Sequence, residues 1–276
     1  MSIAIVTDST ADIPQELAEK HKIHVVPAIL IIDGQSIEDG KGLTRREFYE
    51  RMPTMQTTPT TSTPSAGKFH DVYQKLFQQG YQEIISIHVS SLLSGIYNTA
   101  TSAAQAFSNK VKVIDSGQLS LGLGFQVLAA AKGAARGLSL DKVVQQVENI
   151  RQRVRIFAML DTLEYVRRSG RVSWARARIG AILQIKPFLE IKNGKVLSLG
   201  QVRTRSKGIP QLIEMVRNLG PLEQLAVLHT NAESEARKML ENLNISLPDP
   251  VLIVNVTTII GTHVGPNGLG FAAVIK

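Results

Sequence analysis

Ile3-Ala4-Ile5-Val6-Thr7-Asp8-Ser9-Thr10-Ala11-Asp12-Ile13-Pro14-Gln15-Glu16-Leu17 decides the fold class. Residues 3–6 are a short apolar, β-branched run, which reads as a buried strand. Six mostly polar residues follow. Asp12 then reads as an N-cap, and Pro14 fits the first turn of a helix. Strand, polar turn and helix in that order make half of a βαβ unit. The alternation continues outward. A strand is predicted over His24–Ile32, ending in the turn Asp33-Gly34. Thr44 is expected to cap a short helix through Arg51, and Pro53–Pro64 reads as a Thr-rich loop. Helix Ser65 to near Gly80, strand Glu83–Val89, helix Ser94–Phe107, strand Val111–Ile114 and helices Leu119–Arg136 and Ser139–Arg153 complete the series. Such alternation predicts a parallel sheet with helices on both faces, a three-layer α/β/α domain over residues 1–153.

The texture changes near residue 154. Arg155–Leu160 reads as a strand, followed by two Arg-rich helices. Ile185–Ile191 and Lys195–Val202 flank Asn193-Gly194, a strong hairpin signal. Helix Ser206–Leu219, strand Leu225–His229, helix Ala232–Leu243 and strands Val251–Val256 and Leu269–Ile275 follow. A second domain over 154–276, mixed α/β, is the expectation.

Composition narrows the function classes. With 276 residues, 43% hydrophobic and 20% charged, the chain is globular rather than disordered. It has no Cys, which excludes disulfides, thiolate metal sites and a Cys nucleophile. No charged segment precedes an apolar run at the N-terminus, so no signal peptide is expected. The longest mostly apolar stretch, Leu119–Ala131, falls short of the roughly 20 residues a bilayer needs. A soluble, cytoplasmic protein is expected. The net charge is +8, and Arg151–Arg178 holds eight Arg against Asp161 and Glu164. Phe157, Tyr165 and Trp174 are the only aromatic residues among these arginines, too few for a base-stacking surface, so nucleic acid is not the expected partner. Docking to an acidic protein, transient contact with an anionic lipid surface, and a plain solvated face all stay open.

Four polar segments lie at or near predicted strand ends: Thr7-Asp8-Ser9-Thr10, Thr60–Ser65, Ser90–Gly95 and Asp115-Ser116. Ligands of open parallel sheets bind there, and helix N-termini with hydroxyl side chains suit an anion. Ordinary capping is the plainer reading of each. Five Ser/Thr in the six residues Thr60–Ser65 are harder to explain by capping. No nucleophile elbow or phosphate loop occurs. Leu121-Gly122-Leu123-Gly124 lacks the pattern of a dinucleotide fingerprint and reads as close helix–helix packing. The six His are scattered, so no metal site is expected. Arg203 and Arg205 end a strand, and His263 lies in Gly261–Gly268, which reads as a Gly-rich loop before the last strand. An Arg and a His aimed into a cleft would suit a carboxylate; surface charge is the alternative.

Taken together, Thr7–Ile13, Thr61-Ser62-Thr63-Pro64-Ser65, Leu93-Ser94-Gly95-Ile96-Tyr97, Val113–Ser116, Leu163–Val172, Ile185-Lys186-Pro187, Arg203-Thr204-Arg205 and His263-Val264-Gly265-Pro266 resemble the DegV family. The resemblance spans essentially the whole chain. It implies a parallel-sheet N-terminal domain and a two-layer C-terminal domain with a mixed sheet. It also implies a bound long-chain fatty acid such as palmitate, stearate or oleate, with no cofactor and no catalytic residue. By the same resemblance Thr61 and Ser94 match hydroxyl ligands of the carboxylate. Ser62 and Gly95 sit where backbone N–H groups contribute, and Arg203 and His263 match cationic partners. Ile96, Asn267 and Ser169 depart from the family's usual residues. A separate fatty acid kinase subunit is the implied protein partner. The rival expectations are a phosphotransferase of the dihydroxyacetone kinase type and a lipid-responsive regulator docking through the arginine-rich segment.

Overall fold

The computed structural model describes residues 2–176 and 185–276. In chain order the elements are β1 (Ile3–Asp8), α1 (Gln15–Lys20), β2 (Ile23–Val26), β3 (Ile29–Ile32), β4 (Gln35–Glu38), α2 (Arg45–Arg51) and β5 (Thr60–Ser62). Next come α3 (Ala66–Gln78), β6 (Glu83–His88), α4 (Ile96–Ala104), β7 (Val111–Asp115), α5 (Ser120–Ala135) and α6 (Leu140–Arg153). The remainder is β8 (Val154–Met159), α7 (Glu164–Ser169), α8 (Ser173–Arg176), β9 (Lys186–Lys192), β10 (Lys195–Val202), α9 (Arg205–Arg217), β11 (Leu222–His229), α10 (Glu233–Glu241), β12 (Leu252–Asn255), α11 (Thr258–Val264) and β13 (Leu269–Ile275).

The first compact unit runs to Ile29, resumes at Ser62–Arg153 and includes the turn Asn193–Lys195. Its sheet has the order β2-β1-β6-β7, and every pair is parallel. All six residues of β1 and five of six in β6 are buried, so the central strands are covered on both faces. α5 is buried along most of its length and packs on β1, β6 and α6. Ser65 and Thr44 are side-chain caps, and Thr44 forms a full capping box with Glu47. Asp12 is not the expected cap. Its backbone is left-handed, its carboxylate accepts from Ser120 Oγ at 2.7 Å, and α1 begins at Gln15 with no side-chain cap.

The second unit contains Leu30–Thr61, the described part of Val154–Lys192, and Val196–Lys276. Its six-stranded sheet has the order β10-β9-β8-β13-β11-β12. β8–β9, β8–β13 and β11–β13 are antiparallel, and β11–β12 is parallel. The core packs Met159, Phe188, Leu212, Val216 and Phe271, and a smaller cluster holds Leu160, Val166, Val172 and Leu189. Asn193 and Gly194 both have positive φ (51° and 77°), the turn that a two-residue hairpin demands.

Leu30–Thr61 packs with the second unit, although it precedes residue 153. Long-range bonds explain this: the buried Tyr49 hydroxyl donates to Val256 O at 2.8 Å, and Asp39 accepts from Thr257 and Thr258. Three further expectations change. His24–Ile32 is two strands, interrupted at Pro27, which has no N–H to give a ladder. The Pro53–Pro64 loop contains β5, which joins the small sheet β4-β3-β5. Gly261–Val264 is helical rather than loop, because Thr257 caps α11 by accepting from Ile259 N.

Gly124 is close-packed, but against the turn after β1 rather than against a helix. A Cβ there would lie 2.6 Å from Ala11 O, a backbone atom that cannot move aside. At Gly133 the obstacle is the end of the flexible Gln146 side chain on α6. Gly124→Ala should therefore lower stability by about 1–3 kcal/mol. Gly133→Ala should fall near neutral, because the gain of about 1 kcal/mol in helix propensity offsets moving Gln146. Urea unfolding of both variants checks the contrast.

Candidate functional site

In the first unit, two of the four polar segments are consumed by the fold. Asp8 Oδ2 accepts from Val89 N at 3.1 Å and contacts His88 Nδ1 at 3.0 Å. Asp8 Oδ1 accepts from Thr10 N at 3.0 Å and from the Thr10 hydroxyl. His88 Nε2 meets Ser86 Oγ at 2.7 Å, and the Tyr73 hydroxyl donates to Ser86 at 2.9 Å. Thr7 donates to Ile87 O, and Ser9 Oγ accepts from Ala28 N. Asp115 is similarly taken up by Ser91 and Gly117, and Ser116 by Gln118. Most polar side chains of both segments are thus engaged within the fold.

The Ser90–Gly95 turn differs. Ser90 is its anchor: its N–H donates to Gln118 O, its hydroxyl to Gly194 O at 2.9 Å, and its carbonyl accepts from Leu93 N and Ser94 N. Ser94 is half-buried, and its Oγ accepts from Ile96 N at 3.4 Å. Among the described residues its own hydroxyl hydrogen has no acceptor, so it can donate. Gly95 is the exposed N-cap of α4, and a Cβ there would lie 3.3 Å from Thr63 Cγ2. Ser62 is exposed at the end of β5.

In the second unit, Thr61 Oγ1 lies 2.9 Å from His263 Nε2. β5 delivers Thr61 and α11 delivers His263. Burial pushes the His263 imidazole down to about 4, and the Arg171 charge adds to this. His263 is therefore neutral near pH 7, not the cation expected of it. Its Nδ1 is buried and has no hydrogen-bond partner among the described residues. An unpaired lone pair in such a place costs less than an unpaired N–H, which favours the tautomer with the proton on Nε2. Nε2–H then donates to Thr61 Oγ1, and the Thr61 hydroxyl hydrogen is released toward an anion. The pair is a neutral donor, and Arg171, which sequence reasoning gave no role at the site, supplies the nearby charge.

Arg203 is exposed after β10. Arg205 is the arginine fixed in place: it bonds Glu235 at 3.0 and 2.6 Å, Asp161 at 3.3 Å and Asn267 O at 2.5 Å. Of the six expected site residues, Thr61 and His263 are in direct contact. Ser94 and Gly95 are adjacent on one turn, and Ser62 follows Thr61 in the chain. The arginine-rich run is divided. Arg151 and Arg153 on α6 bond Glu148 and Asn149, Arg168 pairs with Glu164, and Arg178 lies outside the described residues. Among the described residues no group of three or more His, Asp or Glu is placed to hold a metal ion, and no helix is long and apolar enough to cross a membrane.

Residues 2–276 match the family model described as uncharacterised protein, DegV family. The chain belongs to the DegV family. Protein DegV of Bacillus subtilis (strain 168) is 34% identical over 282 residues, covering 100% of both chains. Among solved structures, a DegV-family protein from Thermus thermophilus described as fatty acid binding is 30% identical with a TM-score of 0.91, covering 100% of both chains. The Bacillus subtilis DegV structure, described as a fatty acid binding protein, is 33% identical with a TM-score of 0.87, again covering 100% of both chains.

The depressed His263 value makes a prediction about this DegV-family protein. Between about pH 4 and 6.5 the unfolded chain holds a proton on His263 that the folded chain lacks. Stability therefore rises with pH across that window and is lost as pH falls through it. His21, His24 and His229 are shifted in the same direction. His263→Gln should remove about 1–3 kcal/mol of the stability lost between pH 6.5 and 4, leaving the remaining slope to the other three. Chemical denaturation at pH 4.5 and 7.0 measures the difference.

Proposed function

We propose that this DegV-family protein binds a long-chain fatty acid such as palmitate, stearate or oleate, acts in the cytoplasm, and presents the carboxylate to a separate kinase subunit for acyl-phosphate formation. The observation that carries the reading is the Thr61–His263 pair, a hydroxyl oriented by a neutral, buried imidazole. It supplies a donor to a carboxylate without burying a second charge. The first unit offers donors of its own, the available Ser94 hydroxyl hydrogen and the backbone N–H groups of Ser62 and Gly95, which the family resemblance also assigns to the carboxylate. Arg171 and the exposed Arg203 supply positive charge. The full-length likeness to a Thermus thermophilus protein described as fatty acid binding supports the ligand class.

Energetics assign separate tasks to tail and head. Each buried methylene contributes about 0.8 kcal/mol, so a 16-carbon chain supplies on the order of 10 kcal/mol before ordering costs. Affinity comes from the tail. The polar groups satisfy a charge that is costly to leave unpaired, and they fix where it sits. A carrier of this kind needs no reacting group of its own.

Native mass spectrometry with lipid extraction is the direct test. One long-chain fatty acid per chain, co-purified or taken up from palmitate or oleate, is expected; a protein that stays apo after both incubations overturns the reading. Ser94→Ala should weaken palmitate binding by about tenfold or less, the worth of one hydrogen bond. It should slow kinase-dependent phosphorylation of the bound acid by much more. Equal losses in both assays would contradict the separation of tail affinity from head-group register.

A further inference from the structure

α11 carries His263 and has only seven residues, under two turns. A helix that short does not hold itself, so the imidazole needs outside support to stay in register with Thr61. The second unit supplies it at three points. At the N-terminus, the Asp39 carboxylate accepts from Thr257 Oγ1 at 2.5 Å and Thr258 Oγ1 at 2.7 Å. Both threonines are buried, and Thr257 is at the same time the N-cap. In the middle, the Tyr49 ring lies directly on Gly261, where any Cβ would overlap the phenol. Tyr49 is 1% exposed and its hydroxyl donates to Val256 O at 2.8 Å, in the segment that leads into α11. At the C-terminus, the Tyr165 ring fills the space beside Gly265.

Asp39 and Tyr49 both lie in Leu30–Thr61, the segment that ends in Thr61 itself. One stretch of chain therefore delivers the hydroxyl and clamps the helix that delivers its imidazole partner. We propose that Asp39 and Tyr49 are positioning residues: by fastening α11 at Thr257, Thr258 and Gly261, they hold His263 at hydrogen-bond distance from Thr61. This rests on reading the Thr61–His263 pair as head-group contacts. The geometry is demanding, because one residue of slip along a helix moves a side chain 1.5 Å and turns it by about 100°. A shift far smaller than that breaks a 2.9 Å hydrogen bond.

The test uses the full chain, with ¹⁵N-labelled histidine and His263→Gln to assign the signal. The unmutated protein should show His263 as a single neutral tautomer with its proton on Nε2. Asp39→Ala and Tyr49→Phe should both move that signal toward the averaged values of a solvated imidazole. Asp39→Asn, which keeps one carbonyl acceptor, should retain most of the original pattern. Gly124→Ala, in the first unit, should lose stability without moving the signal, which separates positioning from general destabilisation. Palmitate should dissociate roughly tenfold faster from Asp39→Ala and Tyr49→Phe. Folded Asp39→Ala and Tyr49→Phe proteins that both keep the original imidazole signal would overturn the proposal. If the signals move as expected but the unmutated protein takes up no palmitate, the clamp stands and the head-group reading falls.

Discussion

The first unit depends on satisfying one buried carboxyl group. Asp8 ends the central strand β1 with no solvent contact, and its two oxygens take two backbone N–H groups, one hydroxyl and an imidazole contact. A group that polar could not remain in a dry interior without such partners. Two of those bonds come from His88 and Val89, at the end of the adjacent strand β6. Asp8 thereby ties the ends of the two central strands together and fixes the point from which the Ser90–Gly95 turn departs. The hydroxyl of Ser94 is available because the groups around it are otherwise engaged.

The elements legible in the sequence were those whose signals are local. The strand–helix alternation of the first half, the Thr44 and Ser65 caps and the Asn193-Gly194 hairpin follow from short-range sterics and hydrogen bonding. What was not legible depends on partners far along the chain. Tyr49 and Val256 are separated by 207 positions, and no periodicity near Tyr49 announces that bond. The same holds for Asp39 with Thr257. These bonds draw Leu30–Thr61 out of the unit its position suggests. Asp12 shows the converse: a residue ideal for a cap is used elsewhere because Ser120 reaches it first.

The candidate site was legible as a set of residue types and not as an electrostatic arrangement. His263 reads in sequence as a possible cation beside a carboxylate. Burial makes it a neutral orienting group, and no sequence pattern reports how dry a residue's surroundings are. Arg203 and Arg205 look equivalent on paper. Only the positions of Asp161 and Glu235 show that Arg205 is committed to holding the Asn267 loop, while Arg203 is exposed. Arg171 was visible as part of a charged run and of a family block but not as a neighbour of His263, since α7 packs against α11 only in three dimensions.

A neutral pair has a physical advantage over a buried cation for a cargo that must be handed on. An arginine fully desolvated against a carboxylate binds strongly but leaves a costly unpaired charge when the ligand departs. On the proposed reading, a threonine oriented by a neutral histidine would give direction to the carboxylate and leave no charge behind. It would also leave oxygen lone pairs of such a head group open to chemistry from outside. Under the proposed fatty-acid reading, a tail that supplies affinity leaves the head-group contacts free to be directional rather than strong. The short helix α11 then has one requirement above all, which is that His263 stay where Thr61 can use it.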